Sequence, residues 1–178
     1  MHITYRSLLT NDADIYREIR LDCLRNFPDN FGTLFENEVN SKALKFNSVL
    51  KQENSKSFLC GAFHKNKLIG ICGFSREEKP KIAHRGNISQ MYLLTAYAGL
   101  GIAKQIVKAT LEKAFADITL EIIGLGVVSD NYKAIKLYIH FGFKQFGNFE
   151  NYFKQGDHYW SLDLMTLSRK AYFNKIAK

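Results

Sequence analysis

The chain has 178 residues, of which 46% are hydrophobic and 13% aromatic, enough apolar material for one globular domain with a buried core. Its 12 glycines and 2 prolines occur without any repeated or low-complexity segment, which argues against the collagen-like, disordered and solenoid classes. The 25 Lys and Arg against 17 Asp and Glu give a net charge of +8, which suits nucleic acid, an acidic surface or a phosphate-bearing cofactor. We therefore expect a single domain over residues 1–178.

Location and redox state follow from what the sequence lacks. No apolar run reaches the roughly 20 residues of a membrane helix, and the first residues do not form a secretory signal. We predict a soluble, intracellular, cytoplasmic protein without a membrane partner. The cysteines Cys23, Cys60 and Cys72 are odd in number and widely spaced, which predicts reduced core thiols and no metal site.

Positive charge is concentrated at the C-terminus, where Arg169, Lys170, Lys175 and Lys178 occur without any acid. No comparably dense basic run occurs elsewhere, which disfavours a nucleic-acid surface. We interpret residues 168–178 as a solvated basic tail.

The first half of the chain predicts strands and helices in alternation. An edge strand is expected at 2–8, followed by a helix at 12–26 whose Ile15, Ile19 and Cys23 recur on one face. Pro28 ends this helix, and a second amphipathic helix is expected at about 38–52. Three further strands are expected, at 57–63, 68–74 and 87–94.

The second half begins with a change from strand to helix periodicity at Gly99. Residues such as Ala103, Ile106 and Val107 form the apolar stripe of a helix that packs on a sheet. A buried strand at 120–128, a helix from about 131 to 142 and a closing hairpin of strands at 143–153 and 158–167 follow. The order predicts an α/β (α+β) domain.

Residues 91–104 carry the most informative pattern, a strand that runs through a small-residue turn into a helix. The first N–H groups of a helix have no intrahelical partner and favour an anion such as phosphate. The P-loop interpretation fails because no Gly-Lys-Ser/Thr follows, and the dinucleotide fingerprint fails because it lacks a third glycine.

These residues resemble the GNAT superfamily of acyl-CoA-dependent N-acyltransferases, whose signature is Arg/Gln-x-x-Gly-x-Gly/Ala after a Leu-Tyr-Val-like strand. The matching elements are Met91-Tyr92-Leu93 and Ala98-Gly99-Leu100-Gly101-Ile102-Ala103. Ala98 stands where the family usually has Arg or Gln, so one side chain near the pyrophosphate is absent. The main-chain donors do not depend on it, and we expect binding to persist.

A second motif follows at the expected distance. The family pattern Asn-x-x-Ala-x-x-Leu-Tyr-x-x-x-Gly-Phe is matched throughout by Asn131, Ala134, Leu137, Tyr138, Gly142 and Phe143. Without the resemblance, Tyr138 would be read as a core tyrosine on the apolar face of its helix.

The resemblance implies a mixed, mostly antiparallel central sheet of about seven strands with about four helices, in which strands 4 and 5 splay apart. Acetyl-CoA is the implied co-substrate, and its pantetheine arm would pair with strand 4. The implied cofactor-binding residues are Met91, Tyr92, Leu93, Ala98, Gly99, Leu100, Gly101, Ile102, Ala103, Lys104, Asn131, Ala134 and Tyr138.

The implied reaction is direct attack of an amine on the thioester. The Leu93 N–H would polarise the carbonyl, and Tyr138, which matches the family's acid, would protonate the leaving thiolate. The base stays open, because strand 4 offers Asn87, Ser89 and Gln90 where some members carry glutamate. The remaining alternatives are a water chain or one of His84, Glu121, Glu36 and Glu38.

The acceptor is read only as a primary amine, borne by a small molecule or a peptide. Residues 27–38 and 148–155 would border it, and their acids Glu36, Glu38 and Glu150 could hold an ammonium group. Two non-catalytic alternatives remain, an acyl-CoA sensor of the same fold and a basic nucleic-acid-binding module. A homodimer is compatible with the sequence.

Overall fold

The computed structural model describes residues 1–52 and 56–176. Within them, seven strands form one mixed sheet in the order β1-β2-β3-β4-β5-β7-β6, which confirms the predicted fold class. The strands are β1 Thr4–Ser7, β2 Phe58–His64, β3 Lys67–Arg76, β4 Arg85–Leu93, β5 Ile122–Val128, β6 Lys144–Gln155 and β7 His158–Ser168. The helices are α1 Ala13–Asn26, α2 Phe35–Asn40, α3 Asn47–Leu50, α4 Ile102–Ala116, α5 Tyr132–Phe141 and α6 Arg169–Ile176.

The chain divides into two compact units. Unit 1 comprises Met1–Ser75 and Ile88–Ala116, and unit 2 comprises Arg76–Asn87 and Asp117–Lys178. Of unit 2, residues 177 and 178 lie outside the described part of the chain. Strand β4 contributes its first three residues to unit 2 and the rest to unit 1.

Unit 1 is built on the antiparallel strands β1, β2 and β3. Every residue of β2 before His64 is buried, which explains why β2 reads as a continuous apolar run rather than an alternating one. Cys60 of β2 lies opposite Cys72 of β3, and both are free and buried, as is Cys23 of α1. These thiols are the reduced core cysteines that their spacing predicts. Burial raises the pKa of Cys23 and of Cys72 to about 12.

The helix predicted at 38–52 is wrong in its extent. The segment forms two short helices, α2 and α3, joined by bends and a turn over residues 41–46. The Ser41 hydroxyl donates to the Ala43 carbonyl at 2.7 Å, a local bond of the kind that competes with helix formation. Leu44 and Phe46 are both buried at a spacing of two, which a helix would not allow on one face.

Unit 2 joins the start of β4 to β5, β7 and β6. Arg85–Asn87 pair with Ile122–Gly124 in parallel, whereas all seven residues of β5 pair with β7 in antiparallel register. Strand β6 pairs with β7 through two register shifts. The mixture of one parallel and several antiparallel pairs is the mixed sheet that the resemblance implies.

The C-terminal segment corrects the prediction of a solvated tail. It forms α6, in which Tyr172 is 0% exposed. The Arg169 guanidinium donates to the carbonyl of Asp117 at 3.0 Å, and the Lys175 ammonium donates to the carbonyl of Ile139 at 3.0 Å. Two of the basic residues therefore satisfy carbonyl groups of unit 2, while Lys178 lies outside the described residues.

Tyr172 supplies a test of this packing. Tyr172→Ala should lower the free energy of unfolding by about 3 kcal/mol or more, because it empties a fully buried aromatic site. Phe173→Ala is the matched control, since the neighbouring ring is 43% exposed and its removal should cost much less. Denaturant unfolding of both variants would measure the difference, and equal small losses would mean that α6 does not contribute to stability.

A second test concerns the carboxylate that joins β1 to the start of α1. Asp12 accepts two hydrogen bonds from Arg6, at 2.6 and 2.9 Å, and one from the Leu9 N–H at 2.8 Å. The Arg6 hydrogen bond is the main cause that holds the pKa of Asp12 below its ordinary value of 3.8. Its stabilisation is therefore complete above that ordinary value and is lost as pH falls through the lower pKa of the folded state.

We expect Asp12→Asn to reduce the free energy of unfolding at neutral pH and to flatten its dependence on pH in the acid range. Asp14→Asn is the control, because Asp14 is exposed in the first turn of α1. Unfolding curves at neutral pH and near pH 3 would measure both. An unchanged acid slope in Asp12→Asn would contradict the assignment.

Candidate functional site

Strand β4 lies against β3 with very little room between them. A Cβ on Gly70 would lie 3.0 Å from the Tyr92 carbonyl oxygen, and one on Gly73 would lie 3.1 Å from the Ser89 carbonyl oxygen. Residue numbers rise along β3 as they fall along β4 at these contacts, so the two strands are antiparallel.

The backbone of β4 keeps one row of donors away from β3. The Leu94 N–H donates to the Ile69 carbonyl at 2.9 Å. Because the backbone groups of successive strand residues point to alternate sides, the Leu93 N–H points to the side away from β3. The predicted role of Leu93 depends on this main-chain N–H and not on its half-buried side chain.

Gln90 interrupts the regular geometry of β4. It has a φ of 55°, in the left-handed region that non-glycine residues rarely adopt, and this is typical of a local bulge in a strand. Its side-chain oxygen accepts a 2.7 Å hydrogen bond from the Tyr16 hydroxyl. Tyr16 is completely buried, and burial raises its pKa to about 12, so the hydroxyl stays a neutral donor.

The Tyr92 side chain points into the core of unit 1. Its hydroxyl donates to the Asp22 carboxylate at 2.6 Å, and its ring packs 5.8 Å from that of Phe27. Burial, followed by the Asp22 hydrogen bond, raises the pKa of Tyr92 well above its ordinary value. The tyrosine of the first motif is thus a structural residue by its side chain, and only its backbone is available to a ligand.

A tight turn follows β4 and leads directly into α4. Gly99 has a φ of 78° and Gly101 a φ of 76°, both in the region that favours glycine. A Cβ at either position would meet no protein atom within 4 Å, so backbone conformation and not packing requires glycine here. Ahead of the turn, the Tyr97 hydroxyl and His64 Nδ1 lie 3.0 Å apart and anchor it to β2.

Helix α4 begins at Ile102 with its first turn partly exposed. Ile102 is 3% exposed and anchors the helix in the core, while Lys104 is exposed. The backbone N–H of Gln105 donates to the Gly101 carbonyl at 3.2 Å, which is one of the first hydrogen bonds of the helix. The N–H groups that precede it belong to the helix start, where no intrahelical acceptor is available.

The residues of this turn fit a phosphate group. Ala98, Gly99, Leu100 and Gly101 are all exposed, and Leu100 keeps 59% of its surface open. The positive end of the α4 dipole and the unpaired N–H groups favour negative charge at this place. Neither glycine places a side chain over these donors, and Ala98 adds only a methyl group.

Unit 2 holds the residues of the second motif on α5. The Asn131 side chain accepts a 3.1 Å hydrogen bond from the Ala134 N–H, which makes Asn131 the N-cap of the helix. Tyr138 is 6% exposed, and its ring lies 5.6 Å from that of Phe143. The motif therefore starts the helix and fixes the tyrosine ring within it.

Most side chains considered as bases already have partners. Ser89 accepts from Lys45 at 3.0 Å, and Asn87 donates to Glu77 at 2.7 Å. Glu38, expected to face an ammonium group, forms an ion pair with Arg20 at 3.0 Å. Glu36, Glu121 and Glu150 are exposed and His84 is half-buried.

Sequence reasoning missed three features of unit 1: the positive φ of Gln90, the contact between His64 and Tyr97, and the ion pair of Arg20 with Glu38. The partners of the last two are far apart in sequence, and no local pattern signals them. A glutamine in a predicted strand likewise gives no sign of a left-handed backbone.

Among the described residues, no group of three or more His, Cys, Asp and Glu is arranged to hold a metal ion. The helices of the same residues include none long and apolar enough to cross a membrane.

Comparisons with solved structures show where this fold has been seen before. An acetyltransferase of the GNAT family from Streptococcus pneumoniae matches with a TM-score of 0.82 and 20% identity, over 94% of this chain and 99% of that one. A putative acetyltransferase from Salmonella typhimurium, solved with its cofactor acetyl-CoA, matches with a TM-score of 0.76 and 14% identity, over 94% of each chain. At these identities the likeness establishes the fold.

A third structure is spermidine N-acetyltransferase from Vibrio cholerae in complex with CoA and spermine, with a TM-score of 0.73 and 20% identity over 97% of this chain and 98% of that one. A search of curated protein sequences gave no match. The sequence model of the acetyltransferase (GNAT) family matches residues 14–143, which include both motifs. The chain therefore belongs to the GNAT family of acetyltransferases, enzymes whose co-substrate is acetyl-CoA, as its two motifs predict.

Proposed function

We propose that this protein transfers the acetyl group of acetyl-CoA to a primary amine of a small molecule or peptide by direct attack. The observation that carries the proposal is the exposed turn between β4 and α4, with two glycines at positive φ and open space above both. A cytoplasmic location and a homodimer are predictions that belong to the same proposal.

In this proposal the pyrophosphate of acetyl-CoA is held by main-chain groups. The N–H groups from Gly99 to Lys104 surround the start of α4, where the helix dipole favours a phosphate. The exposed Lys104 adds a positive charge in the first turn. Since Ala98 contributes no guanidinium, the turn depends more on backbone geometry than the usual family signature does.

Strand β4 would hold the pantetheine arm and the thioester. The backbone groups of Met91 and Leu93 point away from β3 and can pair with an extended arm. The Leu93 N–H can donate to the thioester oxygen as negative charge develops on it during attack. Acetyl-CoA supplies the activated acyl group; the protein supplies the donor and its position.

The reaction needs two further groups, a proton acceptor for the amine and a proton donor for the thiolate. As the amine nitrogen bonds to the acyl carbon and the carbon–sulfur bond breaks, the amine loses a proton and the thiolate gains one. We assign the second step to the Tyr138 hydroxyl, because Tyr138 occupies the position of the family's acid in the second motif. We assign the first proton to water: Ser89, Asn87 and Glu38 are engaged elsewhere, and water needs none of the exposed Glu36 and Glu121 or the half-buried His84.

An acyl-CoA sensor of the same fold would bind acetyl-CoA without transferring the acetyl group. Both forms should be stabilised thermally by acetyl-CoA. Release of free thiol that requires an added amine separates them, because only the enzyme couples thioester cleavage to an acceptor. A nucleic-acid-binding module would instead bind DNA or RNA with an affinity that falls steeply with salt.

The turn gives the first test of this function. Gly101→Asp places a carboxylate where phosphate is expected, so the affinity for acetyl-CoA should fall by about 2 kcal/mol or more. Gly156→Asp is the matched control, because Gly156 also has a positive φ, of 59°, with no protein atom within 4 Å of a Cβ. Calorimetric titration with acetyl-CoA should show the loss in the first variant alone; equal affinities would remove the site from this turn.

The second test separates the catalytic and structural roles of Tyr138. Tyr138→Phe keeps the ring, so packing and acetyl-CoA affinity should stay close to normal while turnover falls about a hundredfold. Tyr132→Phe on the same helix is the control, since Tyr132 is 66% exposed. Melting temperature, affinity and turnover are measured on one preparation. Full turnover with a lower melting temperature would show that Tyr138 is only a core residue.

A further inference from the structure

Two cations of unit 1, one of which contacts Ser89 of β4, are not both neutralised. We call Arg20 of α1 and Lys45, which precedes α3, the basic pair. Arg20 is only 3% exposed, whereas Lys45 is an exposed residue whose ammonium contacts β4. A buried cation is expected to be paired through all its donors or to neutralise, and a guanidinium does not neutralise.

The guanidinium of Arg20 has donors to spare. Its Nε donates to Glu38 at 3.0 Å, its Nη1 reaches only the Cys23 sulfur at 4.0 Å, and the Phe31 ring lies 5.1 Å from its central carbon. Among the described residues, Nη2 has no hydrogen-bond partner. One edge of the planar Arg20 guanidinium, which could bind a carboxylate through two hydrogen bonds, therefore has no oxygen acceptor among these residues.

Lys45 places a second positive charge nearby. Its ammonium donates to the Ser89 hydroxyl of β4 at 3.0 Å and lies 5.4 Å from the centre of the Phe46 ring. Burial and the positive charge of Arg20 lower the pKa of Lys45. Within the described part of the chain no acid pairs with Lys45, and the one carboxylate paired with Arg20 leaves the two cations in excess of Glu38.

We propose that the basic pair binds a carboxylate carried by the acceptor, so that the acceptor is an amine with an anionic group at its other end. The inference rests on the proposed function for the position of the amine, which must reach the thioester at Leu93. Ser89 and Leu93 are four residues apart in β4, at most about 13 Å along a strand. The carboxylate and the amine are therefore separated by a chain of several atoms.

This charge arrangement discriminates against polyamines. A polyamine would bring further ammonium groups toward two cations, and like charges at short range oppose binding. Glu38, one of the acids of residues 27–38, does not reverse the sign here, because it is already paired with Arg20. The acceptor class thus differs from the one that the acidic residues of this loop alone suggest.

The experiment compares three probes that share one alkyl amine: ε-aminocaproate, its neutral amide and hexylamine. Their binding to the full chain in the presence of CoA is measured by calorimetry, and free-thiol release with acetyl-CoA is measured separately. The variants are Lys45→Gln, the rescue Lys45→Arg, and Lys42→Gln as a matched control, since Lys42 is exposed and three positions away. Arg20 is not substituted, because its loss would strand the half-buried Glu38 carboxylate.

We expect ε-aminocaproate to bind more tightly than its amide. Lys45→Gln should lower the affinity for ε-aminocaproate about tenfold or more and leave the affinity for the amide unchanged. Lys45→Arg should restore the preference, and Lys42→Gln should not alter it. Equal binding of acid and amide, no binding of the acid, or the same loss in both glutamine variants would overturn the proposal. Carboxylate-selective binding without any thiol release would instead support this site and refute the proposed transfer.

Discussion

The positive φ of Gly99 and Gly101 is the constraint on which the proposed acetyl-CoA site depends. An L residue would be strained at these positions, and the chain could not pass so directly from β4 into α4. The turn brings two kinds of main-chain donor into one short stretch of sequence: the edge N–H of Leu93 and the unpaired N–H groups of the helix start. Because both are backbone groups, the exchange of the usual Arg or Gln for Ala98 removes a supporting side chain and leaves the donors in place.

Helix α1 connects the shape of β4 to its charge. Tyr16 donates to Gln90, the β4 residue with a positive φ, while Arg20, one helical turn further along, carries the buried guanidinium. Residues four apart lie on the same face of a helix, so one face of α1 presents both groups. A second contact joins β4 to α1, because the Tyr92 hydroxyl donates to Asp22 of this helix. Changes on this face should therefore act on backbone geometry and on electrostatics together.

How much of the fold the sequence predicts depends on how local the deciding forces are. Elements with a sustained apolar period lie close to where they are predicted: α4 begins three residues after the change of period at Gly99, and β5 lies within the predicted strand at 120–128. The region around Ser41 is not, because a local hydroxyl bond and the burial of Leu44 and Phe46 outweigh a weak helical pattern. The prediction for the C-terminal segment is wrong for a different reason. Its charge pattern indicates a solvated tail, and only the tertiary fold supplies the surroundings that bury Tyr172.

The same distinction between local and distant contacts decides which features of the site can be predicted. The turn and the N-cap of α5 can be predicted because each is formed by residues adjacent in sequence. The partners of Arg20 and Lys45 cannot, since Glu38 lies 18 residues from the first and Ser89 lies 44 residues from the second. Counting acids along residues 27–38 predicts a negative acceptor side. Pairing in three dimensions removes Glu38 from that count and adds Lys45, and it brings Asp22 to Tyr92 of β4. The charge beside β4 is therefore set by which side chains meet and not by how many of each kind the loop contains.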